Sequence, residues 1–74
     1  MPRNLYDYSK LKGRITEVFG TRKAFGNAMG WSNVTLTARL NDAAQWRQDE
    51  IDKAVELLHL DPSDIGSYFF AKKV

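Results

Sequence analysis

The chain has 74 residues, of which 43% are hydrophobic, and a formal net charge of +2. This length corresponds to a single domain, residues 1–74, near the lower limit of what folds alone. The absence of cysteine excludes disulfides and thiolate metal sites. Because no apolar run approaches the ~20 residues of a membrane span and the N-terminus has no signal-peptide pattern, we expect a cytoplasmic protein without membrane association.

The first predicted helix covers residues 7–19, capped by Asp7 or Ser9. Its apolar side chains recur at helical spacing, at Leu11, Ile15, Val18 and Phe19. Gly13 weakens this helix, and we expect it to allow close packing against a neighbouring helix. Residues 1–6 are expected to form a loose arm. Arg3 could reach a phosphate from there, but a frayed terminus is the simpler expectation.

Residues 21–41 predict two short helices joined by a turn. Thr21 precedes the first helix and Ser32 the second, and both are good N-cap residues. Gly30 can adopt the left-handed conformation that ends a helix. The apolar positions form one stripe on each helix, Phe25, Ala28 and Met29 on the first and Leu36 and Leu40 on the second. This pattern is typical of a helix-turn-helix.

The second half of the chain predicts two further helices. Trp46 is expected to pack into the core before helix four, whose buried stripe is Ile51, Ala54, Val55 and Leu58. Asp61-Pro62 begins a short helix five. His59 is the only histidine and suits a surface or C-terminal capping position better than a metal site. The tail, Lys72-Lys73, is expected to be frayed.

Together these residues resemble the lambda-repressor-like, Cro/CI-type family of phage helix-turn-helix proteins, above all the short Cro-like regulators of phages of Gram-positive bacteria. The segments that carry the resemblance are Lys23-Ala24-Phe25, Ala28-Met29-Gly30-Trp31-Ser32, Leu36, Leu40-Asn41, Trp46, Asp49-Glu50-Ile51, Glu56-Leu57-Leu58 and Tyr68-Phe69-Phe70. The resemblance implies an all-α, five-helix lambda-repressor-like DNA-binding domain. It also implies a Cro-like repressor in a lysogeny switch, bound to operator DNA as a homodimer and associated with the nucleoid.

Aligned on the family pattern, the base-reading positions fall on Asn33, Val34, Thr37 and Ala38. Asparagine can hydrogen-bond adenine, and small apolar groups can contact thymine methyls. The expected phosphate contacts are Arg22, Lys23, Thr35, Arg39 and Arg47. Alternatively, the small outward residues of helix three have no role, and the cations are an ordinary solvated surface.

Two residues depart from the family pattern, and the second of them counts against DNA binding. Arg39 replaces an apolar residue and is expected on the flank of helix three, near a phosphate or an acidic partner. Asp42 is expected to place a negative charge where a phosphate would approach. The resemblance also implies an alternative, because some short phage regulators of this type are antirepressors, or modulators of repression, that bind a phage repressor protein through the same surface. Residues expected at a partner interface are Trp31, Tyr68, Phe69 and Phe70.

An enzyme is not expected. The chain has one histidine and no cysteine, and it shows no glycine-rich phosphate loop or nucleophile–base set. The sequence therefore predicts no catalytic residue, no metal site and no cofactor.

Overall fold

Five α-helices make up the fold of residues 5–73, the part of the chain that the computed structural model describes. They are α1 (Ser9–Phe19), α2 (Arg22–Met29), α3 (Asn33–Leu40), α4 (Gln48–Leu57) and α5 (Ile65–Phe69), with a 3-10 turn at Pro62–Asp64 before α5. No strand occurs among these residues, and the expectation of an all-α, five-helix domain is confirmed. None of the described helices is long and apolar enough to cross a membrane.

The predicted caps position α2 and α3. The Thr21 hydroxyl accepts a hydrogen bond from Ala24 N at 3.1 Å, and the Ser32 hydroxyl accepts one from Thr35 N at 3.2 Å. Each bond satisfies an N–H group that has no partner within its helix. At the start of α1, the Asp7 carboxylate accepts a hydrogen bond from Ser9 N at 2.8 Å.

Trp46 lies at the centre of the core, as its position before α4 predicted. Its ring centroid is 5.1 Å from that of Phe69 and 5.2 Å from that of Trp31. The indole Nε1 donates to the Arg39 carbonyl oxygen at 3.1 Å, so burial leaves no unsatisfied polar atom on the ring. Two other buried side chains are Tyr8, which precedes α1, and Leu58, which follows α4. The remaining buried apolar side chains come from all five helices, namely Leu11, Ile15, Phe25, Met29, Leu36, Leu40, Ala54 and Phe69.

The two glycines inside helices differ in their surroundings. A Cβ on Gly26 would lie 3.0 Å from Leu36 Cδ2, so α3 crosses α2 closely at this point. A Cβ on Gly13 would meet nothing within 4 Å. The expected close packing at Gly13 is therefore wrong.

Asp42 is buried, contrary to the expectation that it would repel a phosphate at the surface. It is 1% exposed, and its Oδ2 accepts hydrogen bonds from Leu5 N at 2.6 Å and from Tyr6 N at 3.0 Å. The carboxylate therefore holds the backbone of Leu5 and Tyr6 instead of facing a ligand. Its φ of 54° places it in the left-handed region, which aspartate tolerates better than most residues.

The two ends of the described chain are paired with each other. Asp7 N donates to Ala71 O at 2.7 Å and Lys73 N donates to Leu5 O at 3.1 Å, and these bonds flank an antiparallel bridge between Tyr6 and Lys72. The expected loose arm is therefore wrong for residues 5–6, and the expected frayed tail is wrong for Lys72 and Lys73. The expected role of Arg3 lies outside the described residues.

Candidate interaction surface on α2 and α3

A tight turn at Gly30–Ser32 sets α3 against α2. Gly30 has a φ of 78°, and its N–H donates to Asn27 O at 3.1 Å, while Trp31 N donates to Gly26 O at 2.9 Å. These are the two bonds of a Schellman motif, which needs a left-handed residue at its centre. Together with the close approach at Gly26, they fix the face that α3 presents.

The outer face of α3 carries most of the predicted base-reading residues. Asn33, Val34 and Thr37 are exposed, and Ala38 is partly exposed. Val34 is 80% exposed, which is the highest value among the large hydrophobic side chains of the described chain. Thr35 is partly buried, and its hydroxyl accepts a hydrogen bond from the Ser32 hydroxyl at 3.1 Å. The face therefore consists of small polar and apolar side chains and carries no charge.

Arg39 is paired within the chain. Its Nε and Nη2 donate to the two carboxylate oxygens of Glu50 at 3.0 and 3.2 Å, and its guanidinium lies 5.8 Å from the Trp31 ring centroid. The side chains of Arg39 and Glu50 are only 17% and 13% exposed. A phosphate at Arg39 would have to compete with this bidentate pair. The phosphate contact expected of Arg39 stays a prediction. Because the side chain is paired and only slightly exposed, Arg39 is not part of the candidate interaction surface.

The ionisation of Glu50 follows from this pairing. Burial works to raise the pKa of the Glu50 carboxyl, but hydrogen bonds from the Arg39 side chain and from Arg47 N outweigh it and hold the pKa below its usual value. The pair is therefore charged at neutral pH and joins α3 to the start of α4.

Arg22 and Lys23 are the exposed cations of α2. Neither forms an ion pair with the described part of the chain, whereas the exposed Arg47 lies 3.3 Å from the Asp49 carboxylate. Lys23 and Asn33 line two shallow crevices between α2 and α3, of about 300 and 230 Å³. Arg22 lines the smaller one.

Two polar residues of the crevices were not predicted as contacts. Asn27 lines the larger crevice and Asn41 the smaller one. Asn27 lies four residues after Lys23 on α2, so helical spacing could have indicated it. Asn41 follows the last residue of α3, and its place in the crevice depends on the tertiary packing.

The aromatic residues expected at a partner interface divide into three groups. Trp31 is partly buried, with its ring centroid 6.2 Å from that of Phe25. Phe69 is 2% exposed and belongs to the core, so its expected partner contact is wrong. Tyr68 is partly buried under Lys10, whose Nζ lies 4.7 Å from its ring centroid. Phe70 is 52% exposed and is available for contact with a partner.

The described residues hold no group of three or more histidine, cysteine or acidic side chains that could bind a metal ion. His59 is exposed at the C-terminal end of α4 with a φ of 54°. Its N–H donates to Glu56 O at 3.3 Å, and Leu60 N donates to Val55 O at 3.0 Å. It therefore occupies the left-handed position of a second Schellman motif.

Comparisons with known proteins agree with a small regulator. Among solved structures, the chain is similar to the solution structure of the modulator of repression (MOR) of the temperate bacteriophage TP901-1 from Lactococcus lactis. The two share 54% sequence identity with a TM-score of 0.78, and the match covers 88% of each chain. A comparison with curated proteins found no match. The expected relation to short phage regulators is supported by this structure, while the Cro/CI type is not confirmed by it. The profile of a family described as protein of unknown function (DUF739) matches residues 4–72, and the chain therefore belongs to that family.

Proposed function

We propose that the chain is a modulator of repression, an antirepressor that binds a phage repressor protein through the outer face of α2 and α3. The observation that carries this proposal is Val34, an apolar side chain 80% exposed on the outer face of α3, a helix whose one charged residue, Arg39, is paired with Glu50. The similar protein of phage TP901-1, at 54% identity, is itself a modulator of repression. Such a protein would act in the cytoplasm of a bacterial host.

The charges of this surface favour a protein partner over DNA. Proteins that bind DNA take much of their affinity from cations at phosphates, and half to two-thirds of their hydrogen bonds go to the DNA backbone. Here Arg39 is paired with Glu50, so Arg22 and Lys23 are the cations of α2 and α3 without an ion pair to the described residues. By contrast, Val34 and Ala38 can be buried in an apolar groove of another protein.

The test measures binding to the purified repressor that is encoded by the same phage or prophage genome. Val34→Asp removes the apolar contact and would bury a carboxylate, which together cost about 3 kcal/mol or roughly 100-fold in Kd. Thr16→Asp is the matched control, because it adds the same charge at an exposed position of α1. Calorimetry should show binding by the wild type and by the control but not by Val34→Asp.

Two results would contradict the proposal. If the wild type does not bind the repressor, the function is wrong. If Val34→Asp binds as tightly as the wild type, the partner uses another surface.

The second candidate is a Cro-like repressor that binds operator DNA as a homodimer. The observation that favours it is that Arg22 and Lys23 are exposed at the N-terminus of α2 and form no ion pair with residues 5–73, at a place where backbone N–H groups also attract phosphate. Selection from a random pool of duplexes at near-physiological salt should then enrich a palindrome with half-sites about 34 Å apart. Arg22→Ala should lower the salt slope by about one unit, and Asn33→Ala should relax the preference at one base pair. No enrichment would exclude this candidate.

A further inference from the structure

A groove of about 460 Å³ lies between the N-terminal segment, α4 and α5. Its deepest lining residues, Tyr8, Trp46 and Phe69, belong to the core, and Ile51 and Ile65 are its partly buried aliphatic side chains. None of the described residues that line it lies on α2 or α3. The groove is therefore separate from the surface proposed to bind a repressor.

The exposed edge of the groove is aromatic. Phe70 is 52% exposed, and its ring meets that of Tyr6 edge-on, with centroids 6.1 Å apart and planes at 83°. The segment that carries Phe70 is held by the backbone bonds between residues 5–7 and 71–73. Because these bonds hold the groove in place before a ligand binds, binding would require little further ordering of the chain.

Asp52 gives the groove a negative charge. It is the single charged residue among the described lining residues, it is exposed, and it forms no ion pair with the described part of the chain. Aromatic faces such as those of Tyr6 and Phe70 also attract cations. The charge and the rings therefore favour the same kind of ligand, a cation beside an apolar group, and disfavour phosphate.

We propose that this groove binds a segment of another protein in which an aromatic or branched aliphatic side chain stands next to a lysine or arginine. The apolar side chain would be buried against Ile51 and Ile65, and the cation would lie beside Asp52. This partner differs in charge from a ligand of the α2–α3 surface, whose unpaired side chains are the cations Arg22 and Lys23. The proposal goes beyond the antirepressor function and does not depend on it.

The test titrates the ¹⁵N-labelled full chain with two blocked tripeptides, Lys-Trp-Lys and Glu-Trp-Glu, at low ionic strength. The lysine peptide should cause saturable shifts at the backbone amides of Gln48, Asp52 and Phe70. Its Kd should be about threefold or more below that of the glutamate peptide, which is the range of an exposed ion pair.

Three variants separate the contribution of the Asp52 charge from a general loss of structure. Asp52→Asn should abolish the preference between the two peptides, and Glu56→Gln should keep it, because Glu56 lies four residues further along α4 and does not line the groove. Phe70→Ala should weaken the binding of both peptides by the same factor. Thermal unfolding of each variant checks that the fold is intact.

Several results would overturn the proposal. They are the absence of saturable shifts at millimolar peptide, shifts confined to α2 and α3, and equal affinity for the two peptides. Shifts at the same amides that depend on protein concentration without peptide would also overturn it, because they would show that a second copy of the chain occupies the groove.

Discussion

Replacing Asp42 tests whether this carboxylate anchors the fold or acts at the functional surface. Hydrogen bonds to a charged group contribute about 1.5–3 kcal/mol each. Because Leu5 is 54% exposed, we take the low end for the two bonds to Leu5 N and Tyr6 N and expect a loss of about 3 kcal/mol in the free energy of unfolding. A domain of 74 residues has a total stability of roughly 4–11 kcal/mol, so the effect is large.

Three replacements separate the parts of this effect. Asp42→Gly removes the acceptors but suits the left-handed backbone, and should lose about 3 kcal/mol. Asp42→Ala adds the strain of a φ of 54° and should lose about 1 kcal/mol more. Asp42→Asn keeps one acceptor and tolerates the conformation, and should lose about 1–2 kcal/mol.

Urea unfolding followed by tryptophan fluorescence measures these losses, and hydrogen exchange at Leu5 and Tyr6 localises them. The control is Asp52→Ala, an exposed change on α4 that should stay within about 0.5 kcal/mol of the wild type. The reasoning is refuted if Asp42→Gly loses less than about 1 kcal/mol. It is also refuted if removing the charge of Asp42 strengthens binding to DNA without changing stability, because that is the behaviour of a surface carboxylate.

Three further predictions concern stability. Because the pKa of Glu50 is lowered, its pair with Arg39 contributes stability above the usual pKa of 4.5 and loses it as the pH falls through the lowered value. Glu50→Gln should therefore cost about 2 kcal/mol at pH 7 and progressively less in acid, and a cost independent of pH would contradict this. Gly13→Ala should stabilise the domain by about 0.5–1 kcal/mol in thermal unfolding, since the site is open and inside a helix; destabilisation would reveal an unseen contact. His59→Gly should stabilise by about 0.5 kcal/mol by relieving the φ of 54°, with His59→Ala as the control that shows no such gain.

The helices and their order could be predicted from the sequence because the signals are local. Thr21 and Ser32 each cap a helix through a bond to a residue three positions later, and Gly30 ends α2 within the same turn. The α3 face that carries Asn33, Val34 and Thr37 follows from helical spacing around Leu36 and Leu40 in the same way. These features depend on residues a few positions apart, which a single sequence displays directly.

Contacts between distant residues were decided by the tertiary structure alone. Asp42 reads as a surface charge until the packing brings Leu5, 37 positions away, within hydrogen-bond distance. From the sequence, Arg39 is expected to be a free cation, but in the structure it is hydrogen-bonded to Glu50 at the start of α4. The sequence by itself determined the all-helical domain and the residues of the α3 face. The packing of elements far apart in the chain decided which charged side chains are available on the α3 face. A charge that is buried or paired within the protein cannot contact a binding partner.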